Sequence, residues 1–234
     1  MPQSQSQRRR DYAEIVVFTG DLVASSKLSP DQLGQAMATL EEAYGDVSRA
    51  WAARPGGAGN SAEAPDYGFS AFRGDSWQCL GPDPAFALRW ALILRARLGA
   101  LGRAFDTRIS VGIGSGWLSE QDGRAIASGP AFELSGRGLD SIGQNRRLAI
   151  AWEKPPREAP LIRAVFALAD EISRNWTPGQ ARVFARLLVG MPRPSQETLA
   201  GALDITQQTV ATHLAGGGDW ALREALEALE REGQ

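Results

Sequence analysis

Cysteine and histidine are almost missing from this chain: among 234 residues there is one of each, Cys79 and His213. A lone cysteine excludes an internal disulfide and fits a reducing, cytoplasmic setting. A zinc site built from several His and Cys cannot be made, and a Ser-His-Asp triad would depend wholly on His213. Any metal must be held mainly by carboxylates and backbone oxygens, which favours Mg²⁺, Mn²⁺ or Ca²⁺. No apolar run is long enough to span a bilayer, so no membrane partner is expected. Arg8-Arg9-Arg10 reads like the start of an export signal, but the apolar run after it stops at Asp21, and residues 1–11 are expected to be a solvated tail. Charge of neither sign dominates: 25 Lys and Arg stand against 27 Asp and Glu, so the global balance advertises neither nucleic acid nor a membrane surface. What remains, 43% hydrophobic and 22% charged residues, is the composition of a soluble globular protein able to bury a good core.

The organising stretch is Glu14 to Ser26, EIVVFTGDLVASS. Ile15-Val16-Val17-Phe18 suits a buried strand. It ends in Thr19-Gly20-Asp21, which delivers the Asp21 carboxylate to the strand's C-terminal edge. The small, apolar Leu22-Val23-Ala24-Ser25-Ser26 that follows would let backbone amides approach a phosphate.

Ser29-Pro30-Asp31 starts a helix, with Ser as N-cap and Pro at the first position. Leu33, Met37, Leu40, Tyr44, Val47 and Trp51 form its apolar face. Residues 54–66 are too rich in Gly, Pro and small polar residues to pack. Two short strands, 67–72 and 76–80, flank Arg73-Gly74-Asp75, a hairpin presenting Asp75 and Arg73 at its tip. Asp83-Pro84 caps a second helix carrying Phe86, Trp90, Leu94 and Leu101. RISVGIGSGWL, residues 108–118, is a strand with Gly112, Gly114 and Gly116 at alternate positions, a sign that a backbone or ligand lies close. Trp77, Trp90 and Trp117 are expected in the core. A polar loop, a helix from Gly129-Pro130 carrying Phe132, Glu133 and Arg137, and a strand over 148–152 complete a βαββαβ order with one further helix and strand.

The fold class is therefore α+β: a ferredoxin-like palm over residues 12–154, a Pro-rich linker at 155–160, and an all-α unit over 161–234. In the palm, Asp21 and Asp75 meet despite their separation in sequence. Two carboxylates on adjacent strand ends can hold Mg²⁺ or Mn²⁺ against a triphosphate, and Arg137 is a candidate cation for the transition-state charge. In the C-terminal unit, Leu161, Val165, Leu168, Ile172 and Trp176 form one stripe, and Thr177-Pro178-Gly179-Gln180 is a capping box. A short helix 195–203, a tight turn at Asp204-Ile205 and a helix capped by Thr206 form a helix-turn-helix.

FTGDLVASS, FRGDSWQCL and RISVGIGSG…GPAFELSGRGL resemble, in order, the core motifs of class III nucleotidyl cyclases. The resemblance implies a ferredoxin-like palm with Asp21 and Asp75 as metal aspartates and Arg137 as the transition-state arginine; Glu133 stands where that family has Asn. It also implies head-to-tail homodimers. TGDLVAS, residues 19–25, further resembles the opening motif of the SatD family, a cyclase-type palm ending in a helix-turn-helix, and that likeness spans residues 14–230. Site expectations follow: Arg137 and Arg73 as catalytic cations, Asp21 and Asp75 on metal, and Thr19, Gly20, Leu22, Val23, Ser25 and Gly74 around a nucleoside triphosphate or cyclic nucleotide.

For the C-terminal unit, Thr206, Gln207, Gln208, Thr209 and His213 are the candidates for contacts to double-stranded DNA: Gln207 and Gln208 suit adenine edges and His213 a phosphate. Yet the second helix has no Lys or Arg, and residues 157–234 hold eight arginines against ten acidic residues. A packing or dimerisation module stays open beside DNA binding. Three functions are carried forward: a nucleotide- and metal-binding regulator, an active nucleotidyl cyclase or nucleotidyltransferase making a signalling nucleotide, and a DNA-binding transcription factor on a degenerate palm.

Overall fold

The structure is a computed structural model that describes residues 9–53, 68–72, 74–81, 83–121 and 124–231. The apolar run of the organising stretch lies inside a longer strand, β1 (Arg10–Leu22), which begins before the expected tail has ended. Ser29 and Gln32 exchange hydrogen bonds as a capping box that starts helix α1 (Pro30–Ala52). The hairpin β2 (Phe69–Phe72) and β3 (Ser76–Gly81) follows, then α2 (Ala87–Gly99) after a 3-10 turn capped by Asp83. Next come β4 (Thr107–Gln121), β5 (Arg124–Ser128), α3 (Pro130–Ser141) and β6 (Leu148–Trp152). The expected polar loop before Gly129 is replaced by the β4–β5 hairpin.

Among the described residues the sheet has six strands. Along one path the order is β2-β3-β1-β4-β5, every neighbour antiparallel, and β6 lies parallel to β4. Alternation along β1 gives its two faces different work. Val16, Phe18 and Leu22 meet Trp77, Cys79, Ile109 and Val111 in the core beneath α1 and α2. Thr19 turns the other way, where α3 covers the sheet and Ser135 Oγ lies 2.8 Å from Thr19 Oγ1. The Gly-rich strand is explained here by packing: a Cβ on Gly112 would overlap the carbonyl of Ala131 in α3.

Five helices follow: α4 (Ala159–Arg174), α5 (Pro178–Val189), α6 (Gln196–Leu203), α7 (Gln207–Gly216) and α8 (Asp219–Arg231). Thr177 and Gln180 form the expected capping box on α5. Asp204, with φ 52°, ends α6 in a left-handed turn. These helices share one core with the sheet: Phe166, Phe184, Leu188, Val210 and Leu222 belong to the same buried cluster as Phe18 and Leu92. That is why α2 is buried nearly all round, holding Leu88, Ala91, Leu92, Ile93 and Leu94 at full burial rather than showing one apolar face.

Two expectations change. Trp77 and Trp90 are buried, but Trp117 is half-buried and carries the Arg9 guanidinium 4.7 Å above its ring. Of the expected C-terminal stripe, Val165, Ile172 and Trp176 pack on the core, but Leu161 and Leu168 of α4 are 70% and 68% exposed, while Phe166, Ala169, Asp170 and Ser173 face inward.

Candidate functional site

The site is built at one end of β1, β3 and β4. Asp21 lies opposite Ser76 on one side and opposite Arg108 on the other. Directly opposed residues project to the same face, so the register itself sets Arg108 beside Asp21. The guanidinium closes a two-pronged ion pair: Arg108 Nε donates to Asp21 Oδ1 at 2.8 Å and Arg108 Nη2 to Asp21 Oδ2. The pair is half-buried, with 17% of the Asp21 side chain and 33% of the Arg108 side chain exposed. The hydrogen bonding of Arg108 to Asp21 raises the pKa of Arg108 above its ordinary value; the charges of Asp21, Asp140 and Asp75 act in the same direction, against partial burial.

Asp75 precedes Ser76 at the hairpin turn. Its carbonyl accepts from the Leu22 amide at 3.0 Å, and its Oδ2 accepts from Ser25 Oγ at 2.6 Å. Asp21 and Asp75, far apart in sequence, thus stand at one edge of the sheet.

The floor beneath them is specified by packing. Thr107 Oγ1 donates to the Asp21 carbonyl at 2.7 Å and accepts from Trp77 Nε1 at 3.2 Å. The indole of Trp77 lies against Gly20, where any Cβ would overlap it; this close approach is the reason for glycine before Asp21. Ala24 holds a left-handed φ of 53°, an uncommon state for a residue with a Cβ, and turns Ser25 back toward Asp75.

The other expected site residues are placed as follows. Thr19 Oγ1 is buried between Gln78 Nε2, at 2.8 Å, and Ser135. The amides of Leu22 and Val23, expected beside a phosphate, are taken by the carbonyls of Asp75 and Asp106. Gly74, with φ +79°, makes the hairpin turn. Arg73 lies outside the described residues. Arg137 does not join Asp21 and Asp75: Ala131, Ser135 and Leu139 are the face of α3 on the sheet, and Arg137 points outward with Glu133 3.7 Å away. Glu133 therefore faces away from the carboxylate pair.

Among the DNA candidates, Thr206 caps α7 by accepting from the Thr209 amide at 3.1 Å, and the two hydroxyls lie 2.8 Å apart. Gln207 and Gln208 are exposed, and His213 is half-buried against Gly179.

Sequence reasoning missed Arg108 and Asp140. Arg108 opens the Gly-rich strand, and its signal was the antiparallel pairing of that strand with β1, which sets the start of one against the end of the other.

Asp21 and Asp75 offer hard oxygen donors of the kind Mg²⁺ and Mn²⁺ take. Among the described residues no three Asp, Glu, His or Cys side chains gather as a complete metal cage. Two carboxylates fit a cation that fills the rest of its shell with phosphate oxygens and water, as Mg²⁺ commonly does.

No protein-family model matches the chain, and no curated protein matches it. Several solved structures are similar to it, among them these two. One is the guanylyl cyclase Cya2, at 15% identity and TM-score 0.43 over 62% of this chain and 76% of that one. The other is the catalytic core of a rhodopsin-guanylyl cyclase with converted specificity in complex with ATPαS, at 16% identity and TM-score 0.41 over 57% of this chain and 74% of that one.

Proposed function

We propose that the chain binds a nucleoside triphosphate together with Mg²⁺ or Mn²⁺ at the end of β1, β3 and β4, and that the C-terminal helices carry the response to its occupancy. The observation that carries this reading is the convergence of Asp21, Asp75 and Arg108 at neighbouring strand ends on one end of the sheet. Asp21 and Asp75 would hold the cation, which neutralises polyphosphate charge when bound. Ser25 orients Asp75. Arg108 supplies a cation at the site, a role that the sequence pattern had assigned to Arg137 and Arg73.

The palm reading and the SatD-like architecture belong to this proposal. The first four strands, in the all-antiparallel order β4-β1-β3-β2, support a ferredoxin-like palm. Helices α6 and α7, joined at Asp204-Ile205, support a helix-turn-helix whose exposed Gln207 and Gln208 suit DNA or a protein partner.

The enzymatic alternative, a nucleotidyl cyclase, has its own support in the outward Arg137. Exposed on α3 and paired with Glu133 rather than with Asp21 or Asp75, Arg137 would suit a triphosphate on a second copy, as in a head-to-tail homodimer.

The test is incubation of the full chain with each of ATP, GTP, CTP and UTP and Mn²⁺ or Mg²⁺, reading melting temperature and chromatographed products, beside Asp21→Asn and Asp75→Asn. A metal-dependent shift with one nucleotide, lost in both variants, is expected. A cyclic or linked product lost in both variants would establish the enzyme. No shift with any nucleotide, or shifts untouched by both substitutions, would reject the site.

A further inference from the structure

We propose that Arg108 is an exchangeable counter-ion: it holds Asp21 in the ligand-free chain and passes to a phosphate when a metal–polyphosphate arrives, so that cation and polyphosphate bind as one unit. The proposal rests on the metal–nucleotide reading of this site and adds how the site discriminates its ligand.

The geometry gives the reason. Both oxygens of Asp21 are engaged by the Arg108 fork, so a cation taking that carboxylate must compete with the guanidinium for it. A divalent cation arriving alone would have to push a positive group aside and then sit next to it. A polyphosphate arriving alone would meet the carboxylates of Asp21 and Asp75, with Arg108 held by the first of them. Arriving together, the two ligands cancel both penalties. The cation replaces Arg108 on Asp21, and the released fork finds in phosphate an acceptor of matching charge and geometry. A third of the Arg108 side chain is exposed, which leaves it room to move. Because linkage is reciprocal, each ligand must raise the affinity for the other by the same factor.

The experiment uses the full chain, Mn²⁺ and inorganic tripolyphosphate. Binding of Mn²⁺ alone is read from the loss of the free-ion electron paramagnetic resonance signal. Tripolyphosphate alone and the preformed Mn²⁺–tripolyphosphate complex are titrated by calorimetry. Wild type is expected to bind the complex at least about tenfold more tightly than either component, the scale of one charge-assisted pair. Arg108→Gln removes the competitor for Asp21 and the phosphate ligand together. It is expected to bind Mn²⁺ alone about tenfold more tightly than wild type and the complex about tenfold more weakly. Arg108→Lys, which keeps the charge without the fork, is expected to fall between them and carries the test if Arg108→Gln does not melt cooperatively.

Wild type binding Mn²⁺ alone as tightly as the complex, or a folded Arg108 variant gaining nothing toward Mn²⁺, overturns the exchange. Asp21→Asn separates the two levels. If that variant keeps the complex, the site reading fails and this proposal with it. If it loses the complex while the Arg108 variants gain nothing toward Mn²⁺, the site stands and the exchange alone is rejected.

Discussion

Arg95 of α2 donates from Nη1 to the Asp170 carboxylate of α4 at 2.8 Å, an ion pair with both side chains almost fully buried at the seam between the sheet layer and the C-terminal helices. Arg95 Nε reaches Asp106 at 3.2 Å, and Asp106 Oδ2 in turn accepts from Arg147 Nε at 2.8 Å. The Asp106 carbonyl receives the Val23 amide, so this network also underlies the loop that follows Asp21. Removing one member leaves buried charge without its partner, the costly way to break such a pair. Arg95→Met should therefore lower stability by about 3–5 kcal/mol, read as a shift in the urea midpoint. Asp170→Asn should be costly as well: with its amide oxygen accepting from the Arg147 backbone N–H, 2.7 Å from Asp170 Oδ2, its NH2 would face the Arg95 donor.

The Pro-rich residues 155–160 read as a boundary in the sequence, yet Phe184, Val183 and Leu187 lie in one cluster with α2. Calorimetry should show a single cooperative transition rather than two. Phe184→Ala, which also removes a ring stacked 4.4 Å from Trp176, should lower stability by about 3–5 kcal/mol and move that one transition as a whole. Two transitions, only one of them shifted, would show instead that the helices unfold independently.

Ser110 Oγ is buried and has no hydrogen-bond partner, and it occupies the space where a Cβ on Gly138 of α3 would fall. Gly138→Ala should destabilise by roughly 1–3 kcal/mol through overpacking. Ser110→Ala alone should be neutral or stabilising, since it removes an unsatisfied hydroxyl. The double variant should recover most of the Gly138→Ala loss, a coupling that a thermal double-mutant cycle reads directly.

Burial pushes the Cys79 thiol far above its ordinary pKa, and its side chain projects fully buried into the core from β3, the strand paired to β1 and β2. Alkylation by iodoacetamide at pH 8 should be negligible in the folded protein and complete in denaturant, as followed by mass spectrometry. Rapid labelling under native conditions would contradict the packing of β3.

Glu153 Oε2 accepts from the Ser115 amide at 2.7 Å and from Ser115 Oγ at 2.8 Å. These two bonds, the backbone one foremost, hold its carboxyl below the usual range. A carboxyl depressed in the folded state contributes stability above its unfolded pKa and loses it as pH falls through the folded value. Wild type should therefore melt above Glu153→Gln at neutral pH, with the gap closing on acidification. A gap that persists at low pH would reject the assignment.

Local chemistry in the chain was enough to determine most of its elements, though not strand β5 or the full length of β1 and β4. The β-branched run before Asp21, the Ser29–Gln32 and Thr177–Gln180 caps and the Gly turn at Gly74 each act over a few residues, and each appears where the pattern puts it. The meeting of Asp21 with Asp75 was legible too, because a strand end and a hairpin tip are local features that strand order brings together. Arg108 was not, since its place opposite Asp21 depends on the register between β1 and β4, a property of two strands and of neither alone. Nor was the outward turn of Arg137, which follows from Ser135 and Gly138 claiming the sheet side of α3. Helix α4 shows the physical reason most clearly. Its leucines mark one stripe in the sequence, but Asp170 accepts from Arg95 and from the backbone of Arg147 and Leu148, and those buried donors would be costly to leave unmet. The helix is turned to satisfy them, and Leu161 and Leu168 are left facing water.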